Sequence, residues 1–283
     1  MHQKKKAAVL KLLRSRPPLY REGFPFILLW AQKAGCTHLV SWYFWHLGLL
    51  DEAKAYKAGE HGISVHRYEN QVFKARTGYK SDLATAVLAG TPLINFVRCP
   101  YQRVFSSYME INNRFFLRVK KQGRRSPALA IREEILRHCY GEGAPLVYPI
   151  TFGDYLEWLV QQDIKTVDGH HRPQCGPLYT LTGIRHFRLE DSATVFANLE
   201  QEFGLQSSAS QHAEFSSGHH HRKHVFDQSA ALRLLNRGIP LVREKTVPIP
   251  RIDRAILRQF DEAGLIAEIF KDDIALYDSL GEG

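Results

Sequence analysis

Residues 24–46 read FPFILLWAQKAGCTHLVSWYFWH, and this stretch decides the predicted fold. The run from Phe24 to Trp30 is rich in strand formers, which predicts a strand buried on both faces. Gly35 permits a tight turn, and residues 37–46 are apolar on nearly every side, which predicts a core helix. A strand that enters a helix through such a turn directs backbone N–H groups at one point, where Lys33 adds a cation. The turn is therefore a predicted anion site.

The ends of the predicted helix carry ordinary boundary signals. Thr37 is a suitable N-cap and Gly48 a suitable C-terminal stop. The turn differs from a Walker A loop, because Gly-x-x-x-x-Gly-Lys-Ser/Thr is absent and Lys33 precedes Gly35. On these residues alone, an ordinary strand-turn-helix with an unrelated lysine is an equal alternative.

A second candidate anion site follows a second apolar run. Residues 93–97, LINFV, suit a central parallel strand, and Arg98 stands at its carboxyl end. Pro100 can occupy the first turn of the next helix, which places Ser106 about two turns into it. A guanidinium and a hydroxyl in this arrangement can hold one phosphate.

The composition is that of a globular protein with affinity for anions. The chain has 283 residues, 44% of them hydrophobic and 24% charged, which is enough for one domain with a large core. Lysine and arginine number 38 against 29 acidic residues, so the net charge of +9 attracts anions. Nucleotides, acidic glycans, nucleic acids and membrane surfaces all satisfy this charge.

The cysteines and the N-terminus indicate a cytoplasmic location. The four cysteines lie far apart without a Cys-x-x-Cys pair, which disfavours a zinc site and a disulfide scaffold. Residues 1–22 predict a basic, solvated helix or arm. The apolar run after them is too short to span a bilayer, and Gln32 and Lys33 interrupt it where a signal peptide stays apolar. We expect no transmembrane segment.

The remaining segments complete an alternation of strands and helices. Residues 62–68 predict a strand that carries His66, because Ile63 and Val65 alternate with polar residues. Residues 112–150 predict a basic, mobile insertion over a cleft, with a helix at 128–140. Further predicted elements are helices at 71–90, 151–159 and 191–203, a strand at 182–189, and mainly helices from residue 230 onward.

Taken together, the motifs resemble the PAPS-dependent sulfotransferases, particularly their carbohydrate sulfotransferase branch, where PAPS is 3′-phosphoadenosine 5′-phosphosulfate. QKAGCTH resembles the family's phosphosulfate loop, and FVRCPYQRVFSSY resembles its 3′-phosphate segment, with the eight-residue spacing of Arg98 and Ser106 kept. HHRPQ, FRLEDSATVFANL and IFKDDIALYDSL are similar to three later family segments. The chain departs from the pattern at Gln32, where the family has Pro, and at Cys99, where it has Asp.

The resemblance implies a fold and a set of cofactor contacts. The implied fold is a three-layer α/β sandwich, with a central parallel sheet flanked by helices, of the P-loop-like sulfotransferase type. The implied donor is PAPS, no metal is required, and the desulfonated product is PAP. The residues that match the two cofactor segments are Lys33, Ala34, Gly35, Cys36, Thr37, His38, Arg98 and Ser106.

The resemblance also implies roles in catalysis and in acceptor binding. Lys33 would stabilise the charge that grows on PAP, and His66 would be the base that accepts the proton of the acceptor hydroxyl. His61 and Glu69 are alternatives for the base. His170 and Arg172 would contact the acceptor, a carbohydrate or other hydroxylated molecule that the basic segment 118–125 could accommodate in anionic form.

Two other classes of function fit parts of the sequence. A P-loop-like nucleotide kinase would also contain the strand-turn-helix. The sequence has neither the Gly-Lys-Ser/Thr motif nor the magnesium-binding carboxylate pattern of such a kinase, which counts against it. A non-enzymatic protein that binds nucleic acid or acidic glycan fits the charge of +9. No nucleic-acid motif with interleaved aromatic residues is visible, so we expect no nucleic-acid partner.

Overall fold

The structure is a computed structural model that describes residues 2–13, 16–58, 63–114, 116–117, 125–215, 227–239, 241, 250 and 252–281. The chain divides into two compact units. The first consists of Met1–Arg98, Gln174–Gly218 and Ser279–Gly283, and the second of Cys99–Pro173 and His219–Asp278. A single domain over residues 1–283 stays a prediction.

The first unit contains a parallel sheet of three strands. They are β1 (Ile27–Leu29), β2 (Leu93–Val97) and β3 (Ile184–Arg188), in the order β1-β2-β3. Ile27 lies opposite Leu93, which in turn lies opposite Ile184. Every residue of β1 and β2 is buried, as continuous apolar runs predict. The predicted strand at 93–97 is confirmed with its bounds, those at 24–30 and 182–189 are confirmed with shorter ends, and the protein is an α/β protein.

Helices make up most of the remaining described structure. In chain order they are α1 (His2–Leu12), α2 (Cys36–His46), α3 (Leu50–Ala55), α4 (Ser64–Tyr68), α5 (Tyr79–Leu88), α6 (Pro100–Ile111), α7 (Pro127–Tyr140), α8 (Phe152–Val160), α9 (Ser192–Phe203), α10 (His212–Phe215), α11 (Gln228–Arg237), α12 (Arg254–Phe260), α13 (Leu265–Ile269) and α14 (Lys271–Ser279). The helices predicted at 128–140, 151–159 and 191–203 are confirmed. The helix predicted at 71–90 begins only at Tyr79.

Helix α2 lies in the core of the first unit. The Trp42 ring stacks on Phe196 with centroids 4.0 Å apart, and its indole Nε1 donates to Glu200 at 2.8 Å. The predicted helix is therefore confirmed, but its predicted cap is wrong. Gly35, in the left-handed conformation, precedes the first turn, and no side chain caps it. The Thr37 hydroxyl lies near the His66 ring instead.

The predicted strand at 62–68 is wrong. Its described part forms α4, which continues into a π-helix over Glu69–Phe73. Val65 and Tyr68, three residues apart, are both buried, which is the spacing of one helix face. A short alternation of apolar and polar residues fits either period, and here the core contacts favour the helix.

The basic N-terminal segment forms a helix, one of the two alternatives that the sequence left open. Val9 and Leu13 are buried in the core of the first unit, and Lys6 Nζ donates to Thr85 Oγ1 at 2.8 Å. The segment thus packs on helix α5. Among the residues that the structure describes, no helix combines the length and the apolar character needed to cross a bilayer.

The second unit is helical in its described part. Pro100 opens α6 as predicted, and Thr151 and Asp154 form a reciprocal capping box at α8. Arg132, on α7, is fully buried and donates to Asn112 Oδ1 at 2.7 Å. Of the predicted insertion over 112–150, residues 115 and 118–124 lie outside the described residues.

Candidate functional site

The loop between β1 and α2 has an unusual backbone. Lys33 has a φ of 63° and Gly35 a φ of 71°, and both lie in the left-handed region. A Cβ on Gly35 would lie 2.6 Å from the Leu189 side chain. The loop therefore requires glycine at position 35 for two reasons. The first N–H groups of α2 have no helical acceptor, so this loop is suited to an anion.

Arg98 links the end of β2 to this loop. Its guanidinium Nη1 donates to the Lys33 backbone carbonyl at 2.9 Å. Its own backbone is held by Gln174, whose Oε1 accepts from Arg98 N at 2.8 Å and whose Nε2 donates to Arg98 O at 2.8 Å. Because β1 and β2 are parallel neighbours, the two predicted anion-binding segments meet at the carboxyl edge of the sheet.

A series of polar and charged side chains runs from α2 through α4 and the π-helix to Lys74. His66 Nε2 lies 3.1 Å from Thr37 Oγ1, and His66 Nδ1 lies 2.9 Å from Glu69 Oε2. The other Glu69 oxygen accepts from Lys74 Nζ at 2.6 Å. Glu69 is fully buried, and its two partners neutralise it. Glu69 thus fixes the orientation of the His66 ring.

Cys36, the first residue of α2, belongs to the same cluster. Burial alone would raise the pKa of its thiol, but the charges of His66 and Lys33 lower that pKa to about 7. Burial alone would lower the pKa of His66, whereas Cys36 and Glu69 raise it to about 10. Burial would likewise raise the pKa of Glu69, but Lys74 and His66 hold it below its ordinary value. The electrostatics of the cluster therefore favour the charged forms of both His66 and Cys36.

Ala34 and His38, the other two predicted loop residues, are buried. Ala34 is fully buried, and its backbone N donates to Ala31 O at 3.1 Å. The His38 ring stacks on Phe196, with centroids 5.2 Å apart. The Ala34 N–H is therefore used within the loop, whereas the backbone N–H of His38, in the first turn of α2, is of the kind that fits an anion.

The second unit holds three more predicted site residues. Ser106 is half-buried on α6. The His170 ring contacts Asp168, with Nδ1 2.6 Å from Oδ1, and its Nε2 lies 3.8 Å from Glu110 Oε1. The Arg172 guanidinium donates to the carbonyl of Thr166 at 2.9 Å and to that of Val167. Arg172 thereby holds its own loop together.

His171, next to His170, is a buried structural histidine. Its Nδ1 lies 2.8 Å from the Tyr155 hydroxyl. Burial lowers the pKa of His171 to about 4, and neighbouring Glu110 opposes this effect. The histidine pair therefore has unlike members, one half-exposed beside an aspartate and one neutral in the core.

The structure brings together Lys33 to His38, His66, Glu69 and Arg98 in the first unit, while His61 lies outside the described residues. Sequence reasoning missed Lys74 and gave Gln174 no role. Gln174 stood in the HHRPQ motif, so a signal existed for it. Lys74 reaches Glu69 across five residues of a π-helix, and no sequence pattern predicted that turn.

Lys33, Arg98 and the backbone N–H groups of the loop are donors of the kind that suits a phosphate or sulfate group. Over the part of the chain that the structure describes, no three His, Cys, Asp or Glu side chains are grouped so that they could hold a metal ion. The fold defines an α/β protein with a parallel sheet. No family model, no curated protein and no solved structure matches the chain.

Proposed function

We propose that the protein is a PAPS-dependent sulfotransferase that transfers the sulfuryl group to a hydroxyl of a carbohydrate or related acceptor. The hydrogen bond from Arg98 Nη1 to the Lys33 carbonyl carries the proposal, because it joins two segments that were each predicted to bind one end of the same cofactor. The P-loop-like sulfotransferase fold, with helical layers on both faces of the sheet, is part of the proposal.

The loop and α2 supply the contacts to the phosphosulfate. Backbone N–H groups near Gly35 and the positive end of the 11-residue helix α2 favour an anion there. Lys33 adds a cation. As the bond from sulfur to PAP breaks, negative charge grows on the bridging oxygen, and a fixed cation with N–H donors lowers the barrier.

Arg98 would bind the 3′-phosphate, and the assignment of Ser106 to phosphate binding rests on the family pattern alone. A guanidinium carries five N–H donors in one plane, so it can contact a loop carbonyl and a phosphate at once. Gln174 fixes the Arg98 backbone through two hydrogen bonds of 2.8 Å. This fixation favours a preorganised phosphate contact over a flexible one.

His66 would be the base, with Glu69 as its positioning residue. Glu69 is buried and engaged by both His66 and Lys74, which suits orientation better than proton transfer from substrate. To act as a base, the protonated His66 must first lose its proton. The Cys36 thiolate can accept it, which leaves a neutral imidazole and a thiol. The acceptor oxygen then attacks sulfur in line, His66 takes the hydroxyl proton, and PAP leaves.

Anionic glycans and a cytoplasmic location belong to the same proposal. The net charge of +9 favours an acidic acceptor. The family resemblance assigns His170 to acceptor binding. The four cysteines, all within the described residues, form no disulfide, which is the ordinary state in a reducing compartment.

Calorimetry with PAP in the absence of magnesium tests the proposal, followed by transfer of radiolabelled sulfate from PAPS to a panel of hydroxylated acceptors. PAP at 100 times its Kd should stabilise the protein by about 2.7 kcal/mol. Stabilisation by magnesium-ATP alone would favour the nucleotide kinase. If the protein neither binds PAP nor transfers sulfate to any acceptor, the sulfotransferase proposal is wrong.

A further inference from the structure

We propose that Thr37 is a positioning residue that couples His66 to the anion loop. An oxyanion bound at the loop and a proton bound at His66 Nε2 each favour the other, and the Thr37 hydroxyl transmits the effect. The oxyanion is a phosphate or sulfate group. The coupling rests on the proposed function for its anion site, but it does not depend on the transfer of a sulfuryl group.

The His66 ring is held at both of its nitrogens. Nδ1 lies 2.9 Å from Glu69 Oε2, and Nε2 lies 3.1 Å from Thr37 Oγ1. Glu69 is fully buried, and its other oxygen accepts from Lys74 Nζ at 2.6 Å. Because an ionised carboxylate only accepts hydrogen bonds, the Nδ1 proton stays in place whether or not the ring is charged. Nε2 is therefore the nitrogen that gains and loses a proton.

The Thr37 hydroxyl has one proton to donate, and the charge of His66 decides where that proton goes. When His66 is neutral, Nε2 accepts and the hydroxyl donates to it. When His66 is charged, Nε2–H donates to Oγ1, and the hydroxyl proton is released for another acceptor. An oxyanion in the loop is such an acceptor. Protonation of His66 and binding of the anion therefore favour each other, and by linkage the effect is equal in both directions.

Thr37 lies between the loop and His66. It is the second residue of α2, in the turn whose first N–H groups have no helical acceptor. No side chain caps this helix, so the Thr37 hydroxyl is not used as an N-cap. Its contact with His66 joins residues that are 29 apart in the sequence. The hydroxyl thus connects the proposed anion site to a ring on another element.

Other titratable and charged groups also act on this cluster. Burial lowers the pKa of His66, while Cys36 and Glu69 raise it. Lys74 pairs with Glu69, and Lys33 acts on Cys36. The Cys36 thiol, with a pKa of about 7, titrates near neutral pH as well. Cys36→Ala is therefore the background in which the titration of His66 can be measured by itself.

The coupling makes His66 a stronger base while the sulfate donor is bound. A bound oxyanion that takes the Thr37 hydroxyl proton leaves Nε2 for the hydroxyl of the acceptor. When His66 removes the proton of that hydroxyl, the new Nε2–H donates to Thr37 Oγ1, and the imidazolium is stabilised as it forms. The proton moves from the acceptor oxygen to Nε2, and no other bond changes at His66.

Nuclear magnetic resonance of the His66 ring nitrogens tests the coupling. The protein carries isotope-labelled histidine in the Cys36→Ala background, and the His66 signals are those that disappear in His66→Gln. The pKa of His66 is measured without ligand, with inorganic sulfate and with PAP. A hydrogen bond that is gained in one protonation state shifts a pKa by about 1. We expect saturating sulfate or PAP to raise the pKa of His66 by at least about this much.

Two substitutions separate the hydroxyl from the direct charge effect of the anion. Thr37→Val keeps the shape of the side chain and removes the hydroxyl, and Thr37→Ser keeps the hydroxyl. The ligand-induced rise in the pKa of His66 should fall by about half or more in the valine variant and persist in the serine variant. The Nδ1 signal, which reports the contact with Glu69, should stay in place in both. Thr85→Val, at an exposed position on α5, is the control and should keep the full rise.

The two ligands distinguish this proposal from the proposed function. If sulfate raises the pKa of His66 through the Thr37 hydroxyl but PAP does not bind, the coupling stands and the sulfotransferase proposal fails. If PAP binds and the rise is the same in Thr37→Val as with threonine present, the coupling fails alone. If neither ligand binds, both proposals fail, because the loop then holds no oxyanion.

Discussion

The Arg98 guanidinium donates from Nη1 to the Lys33 backbone carbonyl at 2.9 Å, so a hydrogen bond ties the end of β2 to the loop after β1. This contact places a guanidinium beside the proposed phosphosulfate loop. Its side chain is oriented by the loop carbonyl, and its backbone by Gln174.

Replacing Arg98 should weaken cofactor binding itself. Arg98→Ala removes a charge-assisted contact worth about 1.5–3 kcal/mol, so we expect the Kd of PAP to rise by about 10- to 150-fold. Isothermal calorimetry measures this change. Arg185→Ala is the matched control, because Arg185 is an exposed arginine on β3 that pairs with Glu202 at 2.6 Å. A similar loss of affinity in both variants would show that only net charge matters.

Replacing Lys33 should act on turnover more than on binding. Lys33→Asn removes the cation and keeps a residue type that accepts the observed φ of 63°. We expect kcat to fall by about 10²- to 10³-fold while the Kd of PAP changes far less, because the charge on the leaving oxygen develops only during transfer. Sulfate-transfer kinetics and calorimetry measure the two quantities.

The control for Lys33→Asn is Lys57→Asn. Lys57 is exposed and has a φ of 48°, so its replacement changes the same charge in a similar backbone conformation. It should leave turnover unchanged. An equal effect of Lys33→Asn on kcat and on PAP affinity would contradict the proposed division of roles between Lys33 and Arg98.

The sequence predicted the sheet and α2 because their signals are strong. LINFV is apolar at every position, and β2 is buried at every position. The signals at positions 62–68 were weaker, since Ile63 and Val65 are too few to distinguish a strand from a helix. The prediction of Thr37 as the N-cap was wrong, because left-handed Gly35 takes the position before the first turn of α2. Thr37 lies inside the helix, and its hydroxyl lies near His66.

The candidate site was predictable from motifs but not from local patterns. Lys33, Gly35 and Arg98 stood in segments that resemble family motifs. The support around them depends on tertiary contacts: Gln174 is 76 residues from Arg98, and Lys74 reaches Glu69 through a π-helix. Such contacts have no periodic signal in the sequence.

The loop conformation itself can be tested by a glycine substitution. Gly35→Ala places a Cβ 2.6 Å from Leu189 at a φ of 71°. Gly90→Ala is the matched control, since Gly90 has a φ of 82° and open space around it. We expect about 1 kcal/mol of destabilisation for the control and at least about 1 kcal/mol more for Gly35→Ala, measured by urea unfolding.

A second substitution identifies the cause of that difference. In the Leu189→Ala background the close contact is gone, so Gly35→Ala there costs only its positive φ, while Leu189→Ala carries its own packing cost. The coupling between the two substitutions should therefore be favourable. Strictly additive effects would mean that Leu189 does not restrict the loop.

His171 should contribute to acid sensitivity. Its pKa is lowered by burial to about 4 in the folded protein, against an ordinary value of 6.5. Between these values the unfolded chain binds a proton that the folded chain excludes, so stability is present above pH 6.5 and falls as the pH drops toward 4. This difference corresponds to about 3 kcal/mol across the window.

His171→Gln cannot titrate, and Gln can still accept the Tyr155 hydroxyl hydrogen bond. We expect the variant to lose less stability than the wild type between pH 6.5 and 4, as measured by urea unfolding at several pH values. His138→Gln, at an exposed position on α7, should keep the wild-type pH dependence. Parallel curves for the wild type and His171→Gln would mean that the folded protein accommodates the charged imidazole.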